Sequence, residues 1–391
     1  MLFLIPVVVS NPAPRYNRKH KSNNQTYVMT EREQQILDLI RQDPLIPQQE
    51  LADKLGISRS AIAGHIMHLT QKGHIQGKGY ILAPERYALV IGGANMDLCG
   101  VADRPLVDGD STPGSLTASA GGVGRNIADN LARLGSRVEF VSALGDDRWA
   151  EQLIESCRLA GVGTEHCLKI AGATTSSYLS LHDSDGEMRL ALNDMSLIER
   201  LDAEQMERRR GPIDRASVVV LDANLSEDAL ETLFARPLDA PVLVDPVSRA
   251  KAHKLKPFLA QIDTLKPNAL EAELLSGHRL DSDEDLPRVA DALHQLGVKR
   301  VLLSLGSRGA YASDAGQGVR YLPSATDVVN VTGAGDALMA GLAHGRLAGW
   351  SFTETVPFAL AAARLALATK TTINSTMSEA AVRRLMEKTP C

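Results

Sequence analysis

Short apolar strands alternating with helix-length amphipathic stretches constrain this chain more than any other feature. Beyond residue 87, five runs rich in β-branched residues recur: 88-ALVIGG-93, 137-RVEFVSALG-145, 218-VVVLDAN-224, 242-VLVDP-246 and 301-VLLSLG-306. Helical periodicity fills most of the gaps, over 125–134, 147–160 and 285–296. A run that is apolar at successive positions has no solvent face, so these strands are buried on both sides. Strands joined through helices run parallel. The pattern predicts an α/β domain with a mainly parallel sheet covered on both faces. Ligands of such sheets bind beyond the carboxyl ends of the strands, so the polar residues there are the site candidates.

A different organisation precedes it. Residues 1–28 hold Pro, Asn, Lys and Arg without a period and read as a disordered tail, with Met29 expected as the native start and the upstream residues as a mis-start. Thr30 and Glu33 then form a capping box, followed by the stripe Ile36, Leu37, Leu39, Ile40. The spacing predicts helices over 31–42 and 47–55, the second stopping at Gly56, and a third after Ser58 that buries Ile62, Ile66 and Leu69. The end, 72-KGHIQGKGYILA-83, reads as a glycine-turned hairpin. Three helices and a hairpin over 29–84 are the layout of a winged helix-turn-helix. The stretch I-P-x-x-E-L-A-x-x-L-G-I-S-R-S-A-I at 46–62 resembles the recognition unit of bacterial winged-helix regulators. From Leu55 to Pro84 there is no acid, while Arg59, Lys72, Lys78, His65, His68 and His74 are present. DNA contact through Ser58, Arg59, Ser60 and His65 is one reading. The other is a protein-binding or dimerising appendage, since the module's net charge is near zero.

Composition excludes several classes. A net charge of −5 over 391 residues is not that of a chain binding nucleic acid by bulk charge, and 4% aromatics do not make a base-stacking surface. No run reaches the ~20 apolar residues of a membrane helix, and the apolar residues 1–9 lack the basic flank of a secretory signal. Cys99, Cys157, Cys167 and Cys391 form no C-x-x-C pair and read as free thiols of a cytoplasmic protein.

Two glycine clusters carry chemistry. In 330-NVTGAGDALMAGLAHG-345, Gly333, Ala334 and Gly335 leave the backbone bare where a helix starts, which suits phosphate oxygens. A carboxylate beside phosphate is repelled unless Asp336 acts as a base on an attacking hydroxyl, with a metal offsetting the charge. The competing role is a simple complement to the helix dipole. In 119-SAGGVGRNIADNLARLG-135, Gly121 and Gly122 let a ligand approach the backbone and Asn126 can bond a hydroxyl, or the glycines merely make a tight turn.

Together, G-G-x-G-x-N-x-A at 121–128 and T-G-A-G-D at 332–336 resemble the paired signatures of the ribokinase-like (PfkB) carbohydrate and nucleoside kinases, over about 87–385. The segment Gly93-Ala94-Asn95-Met96-Asp97 resembles that family's first strand, and Lys266-Pro267-Asn268 with Glu271 its N-x-x-E element. Ser304-Leu305-Gly306-Ser307-Arg308-Gly309 resembles its nucleotide-side loop. The resemblance implies a three-layer fold with a small β lid near 98–118 and 174–190, and transfer of the ATP γ-phosphoryl to a primary hydroxyl. By the same resemblance, Asp336 is the catalytic base and Thr332, Gly333, Ala334 and Gly335 line the anion hole. Asn95, Asp97, Gly121, Gly122 and Asn126 hold the sugar ring. Asn268, Glu271, Ser304, Gly306 and Gly309 serve ATP and Mg2+, the metal being reached through water with no direct protein ligand. Many members place Asp at the position of Asn330, where it helps hold a monovalent cation, so potassium activation does not carry over. The segments 244-VDPVSRAKAHKL-255 and 192-LNDMSLIERL-201 look most like the pseudouridine-kinase branch, although a solvated basic helix and an ordinary loop would read alike. The function expected is 5′-phosphorylation of a nucleoside, pseudouridine first, by a homodimer. Another nucleoside, a free sugar, or a transcriptional regulator that uses the kinase fold as a sensor are the alternatives.

Overall fold

A computed structural model describes residues 29–77, 81–82, 86–323 and 328–388. The expected tail and start at Met29 concern residues 1–28, outside the described residues, as is Cys391. The chain divides into two compact units, up to Glu85 and from Arg86 onward.

In the first unit, α1 (Glu31–Gln42) is capped by the Thr30/Glu33 box, α2 (Gln48–Leu55) ends on left-handed Gly56, and α3 (Arg59–Gln71) starts at Ser58. Strands β1 (Ile75–Gly77) and β2 (Ile81–Leu82) pair antiparallel. Ile36, Leu37, Ile40, Leu51, Ile62, Leu69 and Ile75 form its core, with Ile66 only partly buried beside it. This is a winged helix-turn-helix in element order. Lys72, counted among the basic residues of the acid-free stretch 55–84, is not a surface charge: its ammonium lies 2.7 Å from the Glu33 carboxylate, and both side chains are largely buried. Burial works to raise the Glu33 pKa, but the bonds from Lys72 and Thr30 outweigh it and bring it down to about 2. Lys78 lies outside the described residues.

The second unit is built on a nine-stranded sheet. Its order is Gln317–Tyr321, Ala310–Asp314, Arg300–Ser304, Thr264–Leu265, Val242–Asp245, Val218–Asp222, β3 (Ala88–Ile91), β6 (Val138–Val141) and Val162–Gly163. All pairs are parallel except the two at the Gln317 edge. Alternate residues of each strand feed two cores. Leu89, Ile91, Val219, Leu221, Val301 and Leu303 pack on one face, and Ala88, Val90, Val218, Val220 and Leu302 on the other. Hence the unbroken apolar runs.

A second, four-stranded sheet consists of Met188–Asp194, Ser177–His182, β4 (Asn95–Ala102) and β5 (Gly114–Gly121), in that order. It occupies the segments expected to form the lid. Its register places Leu192, Leu179, Leu98 and Ala118 in one row and Leu190, Leu181, Gly100 and Leu116 in the next. These rows share one face, while Asp97 and Ser119 sit on the other. Leu116, Leu190 and Leu192 are 69, 60 and 64% exposed, which leaves that apolar face open.

Candidate active site

The helix Ala334–Ala348 begins where the chain turns at Gly333, with φ of +86°. A Cβ at Gly333 would lie 2.2 Å from the Thr372 carbonyl, so only glycine fits. Helix geometry leaves the first N–H groups, those of Ala334, Gly335 and Asp336, without intrahelical acceptors. Thr332 contributes differently from expectation. Its N–H donates to Asn330 Oδ1 at 3.0 Å, and Asn330 Nδ2 donates to the Lys370 carbonyl at 3.1 Å. The Thr332 amide is thus spent on holding the loop.

Asp336 is buried in the first turn of this helix, and its Oδ2 accepts a 2.8 Å hydrogen bond from Asn126 Nδ2. Burial raises its pKa and the Asp245 charge adds to the rise. The Asn126 bond and the charges of Lys266 and Arg125 draw it partly back, to about 7. A carboxyl poised there can take up a proton at neutral pH. A carboxylate serving only to complement the helix dipole needs no such burial.

Asn126 comes from α4 (Val123–Arg133), which follows β5 through Gly122. Asn95 and Gly121 stand opposite each other in the β4–β5 register. Asn95 Nδ2 donates to Asp97 Oδ1 at 2.6 Å, and a Cβ on Gly121 would meet the Asp97 carboxylate at 2.1 Å. Burial raises the Asp97 pKa against the Asn95 bond and the Arg125 charge. Two acceptor oxygens and an amide at the lid's inner face can bond vicinal hydroxyls.

Lys266, at the end of strand Thr264–Leu265, joins these groups to the expected nucleotide side. Its Nζ lies 3.1 Å from Asp245 Oδ2, with both side chains almost fully buried. Burial opposes the charge, but Asp245, Glu271 and Asp336 together hold the Lys266 pKa above its ordinary value. Its Nζ is also the nearest atom to a Cβ built on Gly335, at 3.5 Å. Asn268 caps the helix Ala269–Ser276, accepting from Glu271 N–H, while the Glu271 carboxylate accepts from Asn268 N–H and Nδ2 at 2.9 and 2.8 Å. Ser304 bridges to Asn268 and donates to the Pro267 carbonyl at 3.3 Å. Gly306 and Gly309 bracket one turn of 3-10 helix after that strand.

Among the described residues no three His, Cys, Asp or Glu side chains converge as a ligand set. The donors present, the hard oxygens of Glu271 and Asp245 near the helix start at Gly333, fit a Mg2+ that keeps most of its water.

Several residues at strand ends were not singled out from the sequence. Asp222, fully buried, accepts from the N–H groups of Gly93 and Gly124 at 2.8 Å each, tying β3 to the glycine turn. Asp245 sets the charge around Lys266. Asn224 and Met195 converge over Gly93, where a Cβ would lie 2.8 and 3.0 Å from them, and Lys251 donates to Asn224 Oδ1. The strand-end rule contained the signal for Asp222 and Asp245, since each is the last residue of its strand.

The fold and the clustered strand ends are those of a sugar or nucleoside phosphotransferase. The family model described as pfkB family carbohydrate kinase matches residues 85–380, and a winged helix-turn-helix DNA-binding model matches 29–76. The chain is 43% identical over 352 residues to the uncharacterized sugar kinase YeiI of Escherichia coli K12, covering 90% of this chain and 97% of that protein. That span exceeds the second unit, so the similarity reaches into the first. It is 44% identical over 306 residues to the pseudouridine kinase of Escherichia coli K12, covering 78% of this chain and 98% of that protein. The structure of Arabidopsis thaliana ribokinase complexed with ribose and ATP superposes with a TM-score of 0.68 at 25% identity, over 77% of this chain and 99% of that one. The chain belongs to the PfkB family of carbohydrate kinases and is a phosphotransferase acting on hydroxyl groups, with a winged helix-turn-helix domain at its N-terminal side.

Proposed function

We propose that this kinase transfers the γ-phosphoryl group of ATP to the 5′-hydroxyl of a nucleoside, pseudouridine first. The observation that carries the reading is the buried Asp336, bonded by Asn126 and lying against the helix start at Gly333–Gly335. Asn95, Asp97 and the bare backbone at Gly121–Gly122 hold the ribose. Asp336 takes the hydroxyl proton as the 5′-oxygen forms its bond to the γ-phosphorus. The bond from that phosphorus to the β-phosphate bridging oxygen breaks, and ADP leaves with the electron pair. The amides of Ala334 and Gly335, with Lys266 behind them, offset the charge on the equatorial oxygens. Mg2+, when bound, would neutralise the phosphates, and Asn268 and Glu271 would hold its water shell.

Support for pseudouridine is the 44% identity across 98% of the Escherichia coli pseudouridine kinase, joined to the position of the segments 192–201 and 244–255. Met195 from one and Lys251 from the other meet Asn224 over Gly93, two residues before Asn95. An amide and an ammonium there suit a polar pyrimidine ring. The similarity to YeiI along nearly the whole chain favours, as second reading, a different nucleoside or a sugar. Magnesium-dependent ADP release across pseudouridine, uridine, guanosine and ribose decides between them. Pseudouridine should have the highest kcat/KM, and preference for a free sugar overturns the nucleoside reading.

The open apolar face of the lid supports a homodimer closed by a second copy. Exposed Ser58, Arg59 and Ser60, with half-buried His65, support DNA binding by α3. Ser58 also caps that helix, accepting from Ala61 N–H at 3.2 Å. Salt-dependent binding to DNA that weakens in Arg59→Ala would support this, and salt-insensitive binding would not. No described helix is long and apolar enough to cross a membrane, and Cys99, Cys157 and Cys167 are free, in keeping with a cytoplasmic protein.

A further inference from the structure

Arg125 occupies the variable position inside the glycine-cluster motif, between Gly124 and Asn126, and is 1% exposed. Its guanidinium spreads over three partners. One NH group donates to Asp129 at 3.1 Å and to Ser156 Oγ at 3.2 Å. The other donates to Asn126 Oδ1. Its Nε–H has no acceptor among the described residues. Asp129 is anchored from the far side by Arg133 at 2.5 Å. A buried cation with an unsatisfied N–H is an inefficient way to fill a core, since an apolar side chain of the same volume is often neutral or better for stability.

What the arrangement controls is the amide of Asn126. That amide can flip, presenting either N–H or oxygen to Asp336. An oxygen there would face a carboxylate oxygen and repel it. A charged donor fixed on Oδ1 makes the flipped state put NH2 against guanidinium, leaving Nδ2 to donate to Asp336 at 2.8 Å. The same donor polarises the amide and strengthens that bond. We infer that Arg125 is a positioning residue for the base: held by Asp129, Arg133 and Ser156, it locks the Asn126 amide in the orientation that donates to Asp336.

The inference rests on Asp336 being the base. The groups facing Asp336 are Asn126 and Arg125 on α4 and Asp245 and Lys266 at the strand ends. Without Arg125, a positive charge and a fixed donor are lost while Asp245 remains, so the ionised carboxylate is less favoured. In Arg125→Met the acidic limb of kcat/KM moves up by about one pH unit, a roughly tenfold loss at pH 6 that recovers by pH 9. Carbon-13 carboxyl NMR of the substrate-free protein, with Asp336 assigned by its absence in Asp336→Asn, shows the same shift.

Arg125→Met removes one of the two arginines that pair with Asp129, so Arg125→Met/Asp129→Asn is measured beside it. A merely structural arginine predicts that the double variant regains both melting temperature and the original limb. The relay predicts that stability returns while the limb and the Asp336 titration stay displaced. Arg125→Lys, which keeps the charge but cannot span Asp129 and Asn126 together, carries the test if the Met variants do not fold: a smaller upward shift supports the relay, and an unmoved titration overturns it. Near-normal turnover in Asp336→Asn removes the underlying reading instead. An inactive Asp336→Asn with wild-type titration in Arg125→Met overturns the relay alone.

Discussion

Replacing Lys266 by Met deletes the cation at the centre of the proposed site. Its Nζ sits 3.1 Å from Asp245 in a nearly dry environment; at an effective dielectric constant of ~20, charges at that separation attract by about 5 kcal/mol. That attraction offsets the several kcal/mol needed to desolvate the two ions, so the pair's net worth is small. Removing only one member leaves Asp245 uncompensated, and such deletions cost about 3–5 kcal/mol. Asp336 is affected in the same direction, because Lys266 is one of the charges holding its pKa down to about 7. A further rise of about one unit lowers the ionised fraction at pH 7 from about half to about a tenth. The base works deprotonated, so activity falls as pH drops through the raised value. Two measurements follow: kcat/KM from pH 6 to 9.5, and urea denaturation. The expected result is a limb displaced to higher pH, a residual deficit at pH 9 from the missing phosphate partner, and a lower denaturation midpoint. An unshifted limb with unchanged stability would refute the placement of Lys266 between Asp245 and Asp336.

Three other outcomes are expected. Gly333→Ala places a Cβ 2.2 Å from the Thr372 carbonyl at φ +86° and adds about 1–2 kcal/mol of left-handed strain, so turnover should fall while wild-type-like activity would mean the turn is adaptable. In the first unit Glu33 is held well below its unfolded value, at about 2; its stabilising effect is complete above about pH 4.5 and is lost as pH falls toward 2. Glu33→Gln should therefore speed hydrogen exchange in α1 and α3 at pH 7, with the difference from wild type shrinking in acid. Leu190→Lys, placed on the open lid face where the leucine is 60% exposed, should shift a dimer toward monomer in sedimentation velocity, and an unchanged distribution would remove that face from the interface.

Much of the architecture was legible because strands buried on both sides cannot hide their pattern. The runs at 88, 218, 242 and 301 appear as strands within a residue or two, and the caps at Thr30, Ser58 and Gly56 placed the small helices. Asn126 and Asp336, 210 positions apart, were marked separately by their glycine clusters and meet in one hydrogen bond. What escaped were electrostatic roles. Asp245 ends its strand and Lys266 stands in the Lys-Pro-Asn element, but their pairing across two strands leaves no local spacing to read. Lys72 misled for a related reason: counting charge along the chain cannot show that its ammonium is spent on Glu33, 39 positions earlier. Thr332 likewise lies inside the glycine motif, yet its amide belongs to Asn330.

The central claim, that Asp336 takes the proton from an acceptor hydroxyl, is tested most directly by Asp336→Asn. The amide keeps the side-chain volume but cannot accept a proton. Pseudouridine binding by calorimetry should stay within a few-fold of wild type while turnover at pH 8 and above drops by about 10²–10⁴, with the limb near pH 7 abolished. Near-normal turnover, or a surviving limb at the same pH, would contradict the assignment.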